Sequence, residues 1–228
     1  MERKIFLKNS MSALGLIFVA PLLNGCAKET VTSSTTGTTS DTGTDSGSCD
    51  ISPTETAGPF PTKTPSSLVS SNIVSDRSGV PLTVEITINN SNSNCAAVSG
   101  AIVDIWHCDA SGNYSEYGGS GMQSTNYTSV HFLRGRQTTD ANGLVTFTSI
   151  FPGWYSGRAP HIHVHVYSAD GTSLMITQIA FPTDVCNTVY TTATDYKSRG
   201  TQDTSNASDN VFSDSLAGEL ASVLFLMI

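Results

Sequence analysis

A chain of 228 residues with a net charge of −8 and only 11 Lys and Arg is a poor partner for nucleic acid, whose phosphates demand clustered basic side chains. Nor does such a balance draw anionic substrates by bulk field, so recognising one would require local arginines. The composition otherwise suits a globular domain, once two N-terminal stretches are set aside.

The chain opens with Met1-Glu-Arg-Lys-Ile-Phe-Leu-Lys8, which is positively charged, and continues with an apolar stretch from Met11 to Leu23 before Asn24-Gly25-Cys26. This is the pattern of a secretory signal. The run is short for a transmembrane helix, which needs about 20 residues. Leu23-Asn-Gly-Cys26 resembles the lipobox of bacterial lipoproteins, so residues 1–25 are expected to be a lipoprotein signal and Cys26 a lipidated membrane anchor; an ordinary signal with an unmodified Cys26 is the alternative. Lys28 to Ser48 is almost wholly Thr, Ser, Gly and Asp. Residues 26–49 therefore read as a flexible tether, too poor in apolar side chains to offset chain entropy. The expected location is outside the cytoplasm, as a cell-envelope lipoprotein on the periplasmic or outer-membrane face.

Residues 50–228 are enough for one domain with its own core. Five cysteines are present. Setting Cys26 aside leaves Cys49, Cys95, Cys108 and Cys186, an even number that suggests disulfides in an exported protein, with free buried thiols as the alternative. From Asp50 onward no long window keeps three-four apolar spacing. Short runs rich in Val, Ile, Thr and Phe recur between turn residues instead, which predicts an all-β domain. Strands are expected at Leu82 to Ile88, Val98 to Trp106, Phe132 to Thr138, Leu144 to Ile150, His161 to Tyr167, Leu174 to Phe181 and near Val223 to Met227. Asp140-Ala-Asn-Gly143 reads as a hairpin turn. Seven or so short strands indicate an antiparallel β-sandwich, with long loops carrying the chemistry. Gly100 to Trp106 suits a central strand covered on both faces, whereas Asp195 to Asp214 reads as a polar surface excursion. Arg134 and Arg136 flank a strand near the site; solvated edge positions are expected for them, with a substrate carboxylate as the other possibility.

The segment Tyr155-Ser-Gly-Arg158-Ala-Pro-His161-Ile162-His163 concentrates a phenol, a guanidinium and two imidazoles. Strand periodicity puts His161 and His163 on one face with Ile162 on the other, so the pair can share one ion. Imidazoles alone suit zinc, copper, nickel or iron; a phenolate beside them favours a hard trivalent ion such as Fe(III). Taken singly, each residue also has an ordinary reading as packing tyrosine, strand histidine or surface arginine.

Trp106-His-Cys-Asp109-Ala-Ser-Gly112-Asn-Tyr114, then Gly135-Arg136-x-Thr-Thr-Asp140-x-x-Gly143 and Pro152-Gly-x-Tyr155, resemble the intradiol ring-cleavage dioxygenases, the family of protocatechuate 3,4-dioxygenase and catechol 1,2-dioxygenase. The likeness begins at Thr54-Glu-Thr-Ala-Gly58-Pro-Phe60 and runs to about Phe181. It implies a non-haem Fe(III) held by Tyr114, Tyr155, His161 and His163. It further implies Arg158 and Gln178 as catalytic groups beside the metal, with Tyr155 doubling as a latent base. The reaction so implied is O₂-dependent opening of a catecholic ring between its hydroxyl carbons, giving a cis,cis-muconate type product. The link from Tyr155 to His161 is shorter than in protocatechuate dioxygenases and is similar to that of exported single-domain members. Two other readings stand beside this one: an exported β-sandwich binding module without catalysis, and a zinc or copper protein using His161, His163 and His165. His107 and His131 are expected to be structural.

Overall fold

The computed structural model describes residues 51–215 and the backbone of 225–227. The signal, Cys26, the tether and Cys49 lie outside these residues. Two four-stranded sheets face one another. The first is built on β1 (Pro81–Asn90), flanked by β2 (Ala96–Ala97) and β5 (Leu144–Ile150), with β8 (Phe225–Met227) pairing β1 in parallel. The second runs β4 (Arg134–Thr138), β3 (Ile102–Trp106), β6 (His161–Tyr167), β7 (Ser173–Ala180), all antiparallel. This is the expected β-sandwich, antiparallel throughout except at β8.

Alternation builds the core. Val84, Ile86 and Ile88 on β1, with Val145 and Phe147 on β5, meet Val103 and Ile105 from β3 and Ile162, Val164 and Val166 from β6. Each fully buried side chain of this kind is worth roughly 1.5–3 kcal/mol. Because β6 spends its even-numbered residues on this core, its odd-numbered His161 and His163 point out of the sandwich. They are nonetheless buried, since a layer of loops covers that face. A second, smaller cluster of Phe60, Trp106, Cys108 and Tyr114 forms there.

Several sequence-based expectations need correction. The Asp140–Gly143 turn exists, with Gly143 at φ 74° and the Asp140 carboxylate accepting from the Asn142 and Leu144 amides. It is not a hairpin: β4 and β5 belong to opposite sheets, so the chain crosses the sandwich there. Cys108 and Cys186 are free and buried, so they form no disulfide. Cys95 is disulfide-bonded. The one α-helix among the described residues, α1 (Thr183–Thr192), was not foreseen. Six of its ten residues are Thr or Val, which disfavour helix intrinsically. Tertiary packing overrides that preference, with Cys186 and Tyr190 buried against the core and the Tyr190 hydroxyl donating to the Pro152 carbonyl.

The polar stretch after α1 is likewise no surface excursion, because Tyr196, Asn206, Asp209 and Phe212 are all buried. Tyr196 donates its hydroxyl to Phe151 O at 2.6 Å, and Asn206 donates to Phe181 O at 2.8 Å. Arg134 is no solvated edge residue either. Its side chain is fully enclosed and donates to Ser115 Oγ, Ser115 O, Phe60 O and Thr62 Oγ1, tying the loops of the outer layer together. Arg136 is spent on Asp104, with Nε 2.5 Å from Oδ1 and Nη2 2.7 Å from Oδ2.

Among the described residues no helix is long and apolar enough to cross a membrane.

Candidate metal centre

A cavity of about 320 Å³ opens on the outer face of β6, and its wall includes Phe60, Tyr114, Tyr155, Arg158, His161 and His163. All four expected metal-binding side chains thus converge on one space. His161 donates from Nδ1 to the Ala159 carbonyl at 2.6 Å, an acceptor only, which fixes the tautomer and leaves a lone pair on Nε2. That Nε2 lies 3.1 Å from His163 Nε2 and 3.3 Å from Tyr114 Oη. Three donor atoms therefore face one another across a gap that a single ion would span. Tyr155 lines the same cavity, its ring 6.2 Å from that of Tyr114.

The electrostatics suit a cation that the protein itself does not supply. Burial, aided by the Arg158 charge, pushes His161 down to about 3, and burial with the neighbouring His161 and Arg158 holds His163 well below the usual histidine range. Both rings are neutral, as ligands must be. Burial also pushes the Tyr114 phenol well up, and raises Tyr155 less because that side chain is partly exposed. Without a metal both would stay protonated; a trivalent ion would supply the positive charge that stabilises them as phenolates. Two phenolates and two imidazoles form a donor set that fits Fe(III). Among the described residues no group of three or more His, Cys, Asp or Glu could hold a metal. His165 in particular is held away, its Nε2 2.7 Å from Ser173 Oγ and its ring stacked on Tyr167 at 3.9 Å.

Neighbours assigned no role of their own from the sequence brace these side chains. Trp106 is the cross-strand partner of His163, and their rings stack at 4.8 Å with 4° between planes. Gly58, at φ 65°, lets the backbone approach His163 so closely that a Cβ there would lie 3.1 Å from Cε1. Phe60 stacks on Tyr114 at 4.8 Å and meets Tyr155 edge-on at 5.3 Å, bracing both phenols. Gln123 accepts from the Tyr114 amide at 2.6 Å and donates to the carbonyls of Tyr114, Tyr117 and Thr125, pinning the loop that carries Tyr114.

Arg158 lies on the cavity wall, its Nη2 donating to Gln178 Oε1 at 2.7 Å. Gln178 is wholly buried opposite His163 on β7 and donates onward to Thr56 O at 2.6 Å. The guanidinium Nε is taken by Asp209, which also accepts from the Ala159 and Val211 amides. Nearby, Asp203 accepts from Ser156 Oγ and Gly157 N, fixing the turn after Tyr155. The polar run gives no sequence signal that Asp209 is buried or that the exposed Asp203 meets the turn after Tyr155; the Val211-Phe212 pair inside the run is the one hint of burial. His107, buried between Cys108 O and Ser149 Oγ, is structural, and His131 is spent on Glu116.

Residues 60–212 match the profile of a family described as Dioxygenase. Chlorocatechol 1,2-dioxygenase from Rhodococcus opacus is 31% identical over 106 residues, 38% of either chain, so the match spans under two-fifths of that relative's length. An intradiol ring-cleavage dioxygenase from Tetranychus urticae superposes with a TM-score of 0.69 at 30% identity, over 79% of this chain and 94% of the other. The dioxygenase domain of a dioxygenase and carbohydrate-binding fusion from Streptomyces sp. SirexAA-E gives 0.54 at 23% identity, over 78% and 98%; at that identity the likeness shows the fold alone.

Proposed function

This chain belongs to the intradiol ring-cleavage dioxygenase family, and from that premise we propose that it uses a non-haem Fe(III) and O₂ to open a catecholic ring between its two hydroxyl carbons, releasing a cis,cis-muconate type product. The observation that carries this reading is the convergence of His161 Nε2 with His163 Nε2 at 3.1 Å and Tyr114 Oη at 3.3 Å, with Tyr155 on the same cavity wall.

In this reading Tyr114, Tyr155, His161 and His163 hold the iron. The bound ferric ion supplies positive charge that acidifies the catechol hydroxyls and renders the ring reactive toward O₂. The remaining work falls to the protein. Tyr155 is the partly exposed phenol, and its hydroxyl has no hydrogen-bond partner among the described residues, so its Oη is the atom placed to take a proton from an incoming catechol. Tyr114, enclosed by Phe60 and pinned by Gln123, stays in place. Arg158 offers fixed positive charge where negative charge develops on the ring, and Gln178 and Asp209 spare it reorientation during the reaction. Phe60 and Pro59 keep that side of the cavity dry.

The test is oxygen uptake by the iron-loaded protein with catechol, protocatechuate and hydroxyquinol in turn, each followed by product analysis. Stoichiometric uptake with an intradiol product from at least one of them is expected. Iron-loaded protein that leaves all three intact would refute the reading. We further propose, from Met1–Cys26 and the Ser/Thr-rich stretch behind it, that the enzyme works outside the cytoplasm on a lipid anchor; Cys26→Ser should then release it from the membrane fraction.

A further inference from the structure

The cavity's wall chemistry bears on which catechol it takes. Beyond the metal-binding groups its side chains are Pro59, Phe60 and Met122, which are apolar, Ser156, whose hydroxyl is spent on Asp203, and Arg158, the one basic residue on it among the described residues. That guanidinium is already ion-paired. Its Nε lies 2.9 Å from Asp209, whose carboxylate is wholly enclosed, and its Nη2 is bound to Gln178. The other basic side chains of the outer layer are committed elsewhere: Arg134 to Ser115 and Phe60 O, Arg136 to Asp104, and Lys63 Nζ to Glu116 O at 2.7 Å. None of them lines the cavity.

Met122 gives the wall its second character. It is 63% exposed yet lines the cavity. It sits between Gly121, at φ 65°, and the buried Gln123, whose amide fastens the loop to Tyr114. A thioether presented at a cavity rim on an anchored loop is a flexible apolar contact for whatever projects from the bound ring.

Resting on the ring-cleavage reading above, we infer that this site selects catechols carrying an apolar ring substituent over those carrying a carboxylate, with Met122 as the residue that meets the substituent. A ring carboxylate entering this cavity would shed water and meet no cationic side chain but Arg158, which Asp209 already pairs, against the field of a chain whose net charge is −8. A methyl or larger alkyl group in the same place would cover Met122 and Phe60.

The experiment uses the full chain loaded with iron. Anaerobic dissociation constants are measured from the change in visible absorbance for catechol, 4-methylcatechol and 3,4-dihydroxybenzoate, which separates binding from the ring's electronic reactivity, and turnover of each is then followed in air. 4-Methylcatechol should bind about tenfold or more tightly than 3,4-dihydroxybenzoate. Met122→Arg, a change at an exposed position, should narrow or reverse that ratio by tightening 3,4-dihydroxybenzoate. If catechol is opened but 3,4-dihydroxybenzoate binds as tightly as 4-methylcatechol, or if Met122→Arg leaves the ratio unmoved, the selectivity inference fails while the ring-cleavage reading stands. If none of the three is opened, the inference fails; if hydroxyquinol is left intact as well, the ring-cleavage reading falls with it.

Discussion

Asp209 grips Arg158 through a single nitrogen: the guanidinium Nε lies 2.9 Å from one carboxylate oxygen and 3.1 Å from the other. The same carboxylate holds the Ala159 amide at 2.7 Å, two residues before His161. One buried acid therefore orients the cation and anchors the chain entering β6. Asp209→Asn keeps the size and an acceptor but loses the charge. It should lower kcat on the order of 10²-fold through misplacement of Arg158, with iron content and visible spectrum near wild type. Asp209→Ala should also cost stability, about 1–3 kcal/mol, because the buried Ala159 amide loses its acceptor and Arg158 its ion pair. Wild-type kcat in Asp209→Asn would show that Arg158 needs no such support.

Gly58 makes a prediction about the metal rather than the chemistry. Its φ of 65° disfavours any side chain, and a Cβ there would lie 3.1 Å from His163 Cε1, so that the ring would have to give by a few tenths of an ångström. Gly58→Ala should strain the backbone by roughly 1–3 kcal/mol and push the His163 ring off its stacking on Trp106. Iron retention after dialysis against a chelator is the readout. Retention equal to wild type would mean the Gly58 contact does not position His163.

Histidine burial sets the acid limit of the fold. His107 is fully buried and pushed down to about 4 from an ordinary 6.5, chiefly by burial. The unfolded chain takes up a proton near 6.5 that the folded state refuses until about 4. The stabilisation is thus complete above pH 6.5 and is lost as pH falls through that window, a total of about 3 kcal/mol. Chemical denaturation of metal-free protein between pH 7 and pH 4 should show this decline, made shallower by His107→Gln. A pH-independent midpoint over that range would contradict the burial of a neutral His107.

The two free thiols give a simpler test. Burial pushes Cys186 up to about 12 and Cys108 higher still, and both are enclosed. A thiol reagent should leave both unlabelled in the folded protein and label both in denaturant without reductant. Labelling of either in the native state would indicate that its enclosure is incomplete.

What the sequence made legible follows from which signals are local. The strands β5 and β6 lie where alternation and β-branched content predict them, and strand periodicity alone fixes His161 and His163 to one face; Tyr114 and Tyr155, which only the family resemblance pointed to, line the same cavity. The hidden parts depend on partners distant in sequence. Arg134 looks like a surface charge until Ser115, Phe60 and Thr62 are seen around it. Helix α1 carries strand-like residues and is helical only because Cys186 and Tyr190 find the core. Asp209 sits in a stretch with the composition of a loop, and its value to the site comes from Arg158, distant in the chain. The Asp140–Gly143 turn shows the limit of turn chemistry: Asn and Gly specify the reversal but not whether the next strand pairs within the same sheet.

The central claim is that two phenols and two imidazoles of this chain hold one ferric ion. The visible absorption spectrum of the purified, iron-loaded protein tests it most directly, with Tyr155→Phe and Tyr114→Phe alongside. The protein should be red-brown, with a broad phenolate-to-iron band that shifts in either tyrosine variant and is unchanged in His165→Ala. A colourless protein carrying stoichiometric zinc, or a band indifferent to both tyrosines, would contradict it.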